Sequence, residues 1–131
     1  MTTEPRARFD WRRRLKSFIY AFEGWRHVLL TQHNAWIHAA ISIVVFALAI
    51  WLQLSRVEWS ILILTIMVVW MAEFFNTAIE AVVDMTAPEY RPLAKVAKDV
   101  AAAAVLVGAL GAVIIGLLIM GPALWARLFT P

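Results

Sequence analysis

The chain has 131 residues, of which 63% are hydrophobic and 16% are charged, and its mean hydropathy is +0.75. A soluble domain of this size is about half apolar, so the composition indicates a membrane protein and excludes an ordinary soluble domain. The absence of cysteine excludes disulfides and thiolate chemistry. The net charge is +3, and the Lys and Arg residues are concentrated before residue 27, which suits an anionic membrane surface better than a nucleic acid.

Four helices are predicted along the chain, which gives an all-α integral membrane fold. Residues 1–10 are predicted to form a disordered polar tail, and residues 11–131 form a single membrane domain. Over residues 11–33 apolar side chains recur every three or four positions between basic ones, which predicts an amphipathic helix in the headgroup plane. Three apolar segments follow, each long enough to cross about 30 Å of hydrocarbon. The predicted transmembrane helices span residues 35–54, 57–84 and 93–125.

The basic residues predict the orientation of the chain. The N-terminal segment is rich in Arg, and Arg91, Lys95 and Lys98 crowd the connector between the second and third transmembrane helices. Positive-inside counting places both on the cytoplasmic side of the membrane. We interpret His38, near the start of the first transmembrane helix, as an interfacial, hydrogen-bonded residue and not as a ligand.

A polar stripe interrupts the second transmembrane helix. Its members, Glu73, Asn76, Glu80 and Asp84, fall within about 80° of one another at about 100° per residue. Ionisable side chains in a membrane segment cost about 2.5–3.5 kcal/mol each on insertion scales, so they need partners, water or a metal. The stripe therefore predicts a functional site. The alternative interpretation is polar packing between helices, or a stripe that faces water near the membrane surface.

Carboxylates, an Asn and nearby Lys and Arg at a cytoplasmic membrane face suggest that the site binds Mg²⁺ and phosphate. Magnesium takes oxygen ligands, and phosphates and water complete its coordination. Phosphoryl transfer needs a metal, cations on the phosphates and a base near the attacking hydroxyl. Glu80 suits the metal, and Glu73, about 10 Å deeper along the helix, suits a base that meets a lipid hydroxyl. Lys98 and Arg91 suit the phosphates, and no glycine-rich nucleotide loop is present.

Three segments resemble a known family. They are E-F-F-N-T-A-I-E-A-V-V-D (residues 73–84), P-E-Y (88–90) and A-K-D-V-A-A-A-A-V-L (97–106). Together they closely resemble the small bacterial membrane diacylglycerol kinases, a family that includes undecaprenol kinases, and the resemblance extends from about residue 13 to 121. It implies a homotrimer with active sites between subunits in the bacterial cytoplasmic (inner) membrane. The implied reaction transfers the γ-phosphate of MgATP to a lipid hydroxyl.

The resemblance also implies roles for individual residues. Glu73 matches the general base, Asn76 a hydrogen-bonding support for the site, and Glu80 a metal ligand that also belongs to the nucleotide site. Gln32 stands where many members carry a second acidic ligand, and its amide oxygen would hold Mg²⁺ more weakly than a carboxylate. The other residues that match nucleotide contacts are Arg13, Tyr20, Glu89, Tyr90, Arg91, Lys98 and Asp99.

Three classes of function remain open at this point. The leading hypothesis is an ATP-dependent lipid kinase, with diacylglycerol or undecaprenol as the substrate. The alternative is a small oligomeric cation transporter that uses the acidic stripe, although the first and third transmembrane helices carry no acidic residue at mid-depth. A scaffold in which the stripe only packs helices predicts that Glu73→Gln changes no activity. Three transmembrane helices enclose little space for ATP and a lipid together, which predicts an oligomer with shared sites.

Overall fold

The computed structural model describes residues 11–87 and 89–129, except for the side chains of Arg12 and Arg13. These residues form four α-helices, and the predicted all-helical fold is confirmed. The tail predicted over residues 1–10 lies outside the described residues. In chain order the helices are α1 (Trp11–Thr31), α2 (His33–Trp51), α3 (Arg56–Thr86) and α4 (Pro92–Phe129).

Helices α2, α3 and α4 are each long and apolar enough to cross a membrane. With 31 residues, α3 is about 46 Å long, so it exceeds the roughly 30 Å of hydrocarbon by several turns. It packs most extensively against α4 and also contacts α2. About 33% of its most apolar stretch is buried, against 11% in α2 and 6% in α4. The other helices are therefore arranged around α3.

A single residue, Gln32, separates α1 from α2. Its backbone is extended, with φ −100° and ψ 114°, and it occupies the N-cap position of α2. The Gln32 backbone N–H completes α1 by donating to the Val28 carbonyl at 2.9 Å. Val28 packs with Ala35 and Trp70 in a small buried cluster, which fixes the break against α3. Because the Gln32 side chain makes no cap hydrogen bond, it is free to reach a different helix.

Helix α2 ends at Trp51, three residues before the predicted boundary at 54. Gln53 has a left-handed backbone with φ 54°. The Gln53 N–H donates to the Ile50 carbonyl at 3.1 Å, and the Leu54 N–H donates to the Ala49 carbonyl at 3.2 Å. This pair of hydrogen bonds is the Schellman motif, which terminates a helix and is usually built on glycine. Apolar composition continues through the turn, so periodicity did not reveal it.

Helix α3 begins with a reciprocal capping box. The Ser55 N–H donates to a Glu58 carboxylate oxygen at 2.7 Å, and the Glu58 N–H donates to Ser55 Oγ at 3.4 Å. Two of the unpaired N–H groups at the helix start are thereby satisfied. Together with the end of α2, this produces a tight reversal between the first two membrane-spanning helices.

Helix α4 begins at Pro92, and it extends to Phe129, beyond the predicted end at 125. Proline suits the first position of a helix because the N–H it lacks would have no partner there. Near the other end, the Arg127 guanidinium lies 5.1 Å from the centre of the Trp51 ring. This contact links the last turn of α4 to the last turn of α2.

Candidate active site

Glu73 is the most unusual residue of the structure, because its carboxylate is fully buried in α3. Neither carboxylate oxygen makes a hydrogen bond with a described residue. Nearby donors point elsewhere: the Trp70 indole N–H donates to Ser42 Oγ at 3.4 Å, and the Thr77 hydroxyl donates to the backbone carbonyl of Glu73 at 2.9 Å. A buried polar group without a partner is costly and is therefore rare outside functional sites. The predicted base thus lies in a position typical of a reactive group.

His38 of α2 faces this carboxylate. Its Nε2 atom lies 4.0 Å from Glu73 Oε2, and its side chain is 14% exposed. The His38 ring also packs edge-on against Trp70, with ring centres 6.4 Å apart. Interpreting His38 only as an interfacial residue missed this pairing. No sequence signal identifies it, because the contact depends on how α2 docks against α3.

A second group of polar side chains forms where the α1–α2 break meets α3. Gln32 Nε2 donates to Glu80 Oε2 at 3.3 Å, and Asn76 Nδ2 donates to Glu80 Oε1 at 3.1 Å. Asn76 is buried, and its amide oxygen has no hydrogen-bond partner among the described residues. The structure therefore brings together the two residues predicted as metal ligands, Gln32 and Glu80, and the supporting Asn76.

This group fits a magnesium ion by its chemistry. Glu80 offers two carboxylate oxygens, and a rotation of either neighbouring amide would present a further oxygen on the same side. Magnesium prefers such oxygen donors and commonly takes only one or two protein carboxylates. Within the described ranges, no three His, Asp or Glu side chains are grouped closely enough to hold a metal. Phosphate oxygens and water would have to complete the coordination.

A third group lies at the junction of α3 and α4. A cavity of about 370 Å³ is lined there by five residues predicted to contact the nucleotide, Glu89, Tyr90, Arg91, Lys98 and Asp99. The Lys98 ammonium donates to the Asp84 carboxylate, and the Lys95 ammonium donates to Asp99. Both ion pairs are largely exposed, so each contributes little to stability and can exchange for another partner.

The predicted stripe on α3 is divided among three neighbours. Glu73 faces α2, Glu80 meets Gln32, and Asp84 pairs with Lys98 of α4. Glu73 and Glu80 are seven residues apart, a rise of about 10 Å along the helix. Tyr20 is 65% exposed on α1, and the Arg13 side chain lies outside the described residues. No contact in the described part of the chain joins Tyr20 to the rest of the site.

An apolar cavity is lined by His38 but not by Glu73. It has a volume of about 500 Å³ and runs between α2 and α4 along one face of α3. His38, Ser42 and Thr65 are the polar side chains among its lining residues. The side of the cavity formed by α4 includes the small residues Ala112, Gly116 and Gly121. The cavity has the dimensions and polarity of a site for hydrocarbon.

A family model described as prokaryotic diacylglycerol kinase matches residues 19–120. The chain belongs to this family. It is 43% identical over 109 residues to an undecaprenol kinase of Bacillus subtilis (strain 168), a match that covers 83% of this chain and 89% of that protein. It is 44% identical over 103 residues to a diacylglycerol kinase of Synechocystis sp., covering 78% of this chain and 59% of that protein.

A more distant relative extends the comparison. A diacylglycerol kinase of Escherichia coli (strain K12) is 33% identical over 100 residues, which cover 76% of this chain and 82% of that protein. Both substrate names therefore occur among the relatives, and the two matches above have nearly equal identity. The resemblance seen in the sequence is confirmed, and it favours the kinase over the cation transporter.

Proposed function

We propose that this chain, a lipid kinase by its family, transfers the γ-phosphate of MgATP to the hydroxyl of a membrane lipid, either diacylglycerol or undecaprenol. The observation that carries the proposal is the buried carboxylate of Glu73, which has no hydrogen-bond partner among the described residues and lies 4.0 Å from His38, a residue that lines an apolar cavity. A lipid whose hydrocarbon occupies that cavity would bring its headgroup hydroxyl to Glu73. The carboxylate has both oxygens available to accept the hydroxyl proton.

Glu73 is the general base of the proposed reaction. It removes the proton from the lipid hydroxyl as the oxygen bonds to the γ-phosphorus, a role that positioned carboxylates commonly fill. Asn76 lies one helical turn away and holds Glu80 through its hydrogen bond. Burial excludes water from the carboxylate, so a lipid hydroxyl is favoured over water as the phosphate acceptor.

Glu80 and Gln32 are the proposed metal ligands, with the carboxylate as the stronger of the two. The Mg²⁺ ion neutralises charge on the phosphates when it is bound. The hydrogen bond between Gln32 and Glu80 supports the assignment, because it shows that the two side chains can meet. A neutral amide in place of a second carboxylate gives a weaker site, in which the nucleotide oxygens supply more of the ligands.

The nucleotide is proposed to occupy the cavity between α3 and α4. Lys98 and Arg91 carry the positive charge that phosphates require, and Asp84 is the present partner of Lys98. A triphosphate would replace Asp84 as that partner, which an exposed ion pair allows at little cost. The residues proposed to complete the nucleotide site are Arg13, Tyr20, Glu80, Glu89, Tyr90 and Asp99.

We also propose a homotrimer with shared sites in the bacterial cytoplasmic membrane, with the N-terminus and the α3–α4 connector in the cytoplasm. The amphipathic α1 would lie on the membrane surface. Large apolar side chains of α1 are exposed in one chain, among them Trp11 at 71% and Phe22 at 72%. Lipid or a neighbouring subunit would cover them.

The test is transfer of radiolabelled phosphate from ATP to mixed micelles that contain either diacylglycerol or undecaprenol. Wild type should label a lipid, and Glu73→Gln and Glu80→Gln should reduce the rate by about a hundredfold or more, as expected for loss of a base or a metal ligand. Glu23→Gln, the same change at an exposed position of α1, should retain the wild-type rate. Full activity of Glu73→Gln would contradict the assigned base, and an unlabelled lipid fraction in wild type would contradict the kinase.

A further inference from the structure

The carboxylate of Glu73 needs a route by which a proton can leave it. In the proposed reaction Glu73 takes one proton per turnover, and it must lose that proton before the next lipid binds. Its surroundings offer few acceptors. Trp70 and Thr77 are both engaged as donors elsewhere, and neither oxygen of Glu73 is hydrogen-bonded to a described residue.

We propose that His38 is a positioning residue for Glu73 and the acceptor of its proton. The inference rests on the proposed function, because it assumes that Glu73 is the base. His38 Nε2 lies 4.0 Å from Glu73 Oε2, slightly beyond a direct hydrogen bond, and a small rotation of either side chain closes that gap. A neutral imidazole has one nitrogen with a free lone pair, which can accept the proton.

The surroundings of His38 suit this role. Trp70 packs against one edge of the ring, so the imidazole is held near the carboxylate. The His38 side chain is 14% exposed whereas Glu73 is fully buried, so the imidazole is the more accessible end of the pair. His38 also lines the apolar cavity. Because His38 is the sixth residue of α2, the pair connects the buried carboxylate to a partly exposed imidazole close to the predicted membrane interface, where water could collect a proton.

The lipid O–H bond breaks and its proton goes to Glu73, while an oxygen lone pair forms the bond to the γ-phosphorus. The bond between the γ-phosphorus and the bridging oxygen breaks, and its electron pair stays with ADP. Glu73 then passes the proton to His38 Nε2, and the imidazolium releases it to water. Each turnover therefore yields phosphorylated lipid, ADP and one proton in solution.

The first experiment compares His38→Ala, His38→Gln and the control His27→Ala in micelles. His27 is exposed on α1 and offers the same chemical change away from the carboxylate. We expect both His38 variants to lower kcat by about tenfold to a hundredfold, which is at the low end of the effects of losing a proton-transfer group. The KM values for ATP and for lipid should stay nearly unchanged. Imidazole added to His38→Ala should restore the rate in proportion to its concentration, because it fits the vacated space and accepts the proton.

The second measurement does not depend on activity. The imidazole ¹⁵N resonances of His38, recorded in ¹⁵N-histidine-labelled wild type, should shift when Glu73 is replaced by Gln, whereas those of His27 should not. Unchanged His38 resonances would overturn the pairing. This readout uses the intact His38, so it stands even where a His38 variant fails to fold.

The outcomes separate the two proposals. Wild-type kcat in His38→Gln, with Glu73→Gln inactive, overturns the role of His38 and leaves the base in place. If added imidazole does not reverse the kcat loss of His38→Ala, the role of His38 as proton acceptor is also overturned. A purely structural role predicts that result. Activity in Glu73→Gln overturns both the base and its proton acceptor.

Discussion

The Glu80 carboxylate accepts hydrogen bonds from two amides, those of Gln32 and Asn76. An amide at position 32 has a specific consequence. It allows Gln32, Asn76 and Glu80 to stay together through hydrogen bonds when no ion is bound. Two facing carboxylates would instead repel each other.

Gln32→Glu should therefore increase the affinity for magnesium. We expect the Mg²⁺ concentration for half-maximal phosphate transfer to fall by about tenfold, a size common when the surroundings of a metal ligand change. Without magnesium, the variant should unfold at a lower temperature than wild type because of carboxylate repulsion. Asn34→Asp, an amide-to-acid change at an exposed position of α2, should alter neither property. An unchanged magnesium requirement in Gln32→Glu would remove Gln32 from the metal site.

Glu73 illustrates a conflict between stability and function at a single residue. Its unpaired carboxylate destabilises the fold, so Glu73→Leu should raise the free energy of unfolding by about 1–3 kcal/mol while it abolishes phosphate transfer. Glu80→Leu should lower the free energy of unfolding, because it removes the acceptor of two hydrogen bonds. Thermal unfolding in micelles, followed by circular dichroism, measures both. A destabilised Glu73→Leu protein would mean that the carboxylate has a partner in the assembled protein.

At the scale of helices, the α4 wall of the apolar cavity contains small residues. Gly116 lines the cavity, and an added Cβ there would meet no atom within 4 Å. A Cβ added at Gly108 would instead lie 3.9 Å from the Val69 backbone, an ordinary van der Waals contact with α3. A side chain at Gly108 would therefore contact α3, whereas one at Gly116 would extend into the cavity.

Gly116→Leu should fill part of the cavity and weaken lipid binding. We expect the lipid KM to rise roughly tenfold, which corresponds to about 1.4 kcal/mol of lost binding, with the ATP KM unchanged. Gly111→Leu is the matched control, since a Cβ at Gly111 also meets no neighbour and that residue is not among those lining the cavity. Equal lipid KM values for both variants would show that the hydrocarbon lies elsewhere.

Hydrophobic periodicity predicted where the helices lie along the chain, but it did not predict the contacts between helices. The polar stripe of α3 could be predicted because its spacing is local, and the meeting of Gln32 with Glu80 was expected only through the family resemblance. The Glu73–His38 pair depends on the rotation of α2 against α3, where Trp70 of α3 packs against His38 and donates a hydrogen bond to Ser42. The early end of α2 was missed because the left-handed position holds Gln53 and not the usual glycine.

At the scale of the whole molecule, the site of one chain is extended. Glu73 and Glu80 are separated by about 10 Å of helix, and they face different residues at the start of α2, His38 and its N-cap Gln32. If Glu73 is the base and Glu80 a metal ligand, a subunit interface offers a second way to bring them to one phosphate, by joining Glu73 of one chain with Glu80 of another.

Mixed oligomers test this arrangement. Glu73→Gln and Glu80→Gln subunits, each inactive alone, are dissociated together at equal amounts in detergent and reassembled. If each site combines the two residues from adjacent subunits, random mixing should restore about one quarter of wild-type activity. In the control, each variant is dissociated and reassembled on its own, and the two are mixed only in the assay. No recovery would mean that both residues act within one chain, while the kinase assignment would stand.

The length of α3 has a consequence for how the enzyme meets its substrate. About 20 residues of this helix suffice to cross the hydrocarbon, so if the hydrocarbon begins near Arg56, Glu80 and Asp84 would extend past its other boundary, with Glu73 close to that boundary. A lipid in the leaflet on that side would reach the carboxylate by lateral diffusion alone, whereas a lipid in the opposite leaflet would first have to be flipped. The rate of phosphate transfer should therefore depend on the mole fraction of substrate lipid within one leaflet, which is a two-dimensional concentration. It should not depend on the amount of lipid per volume of solution.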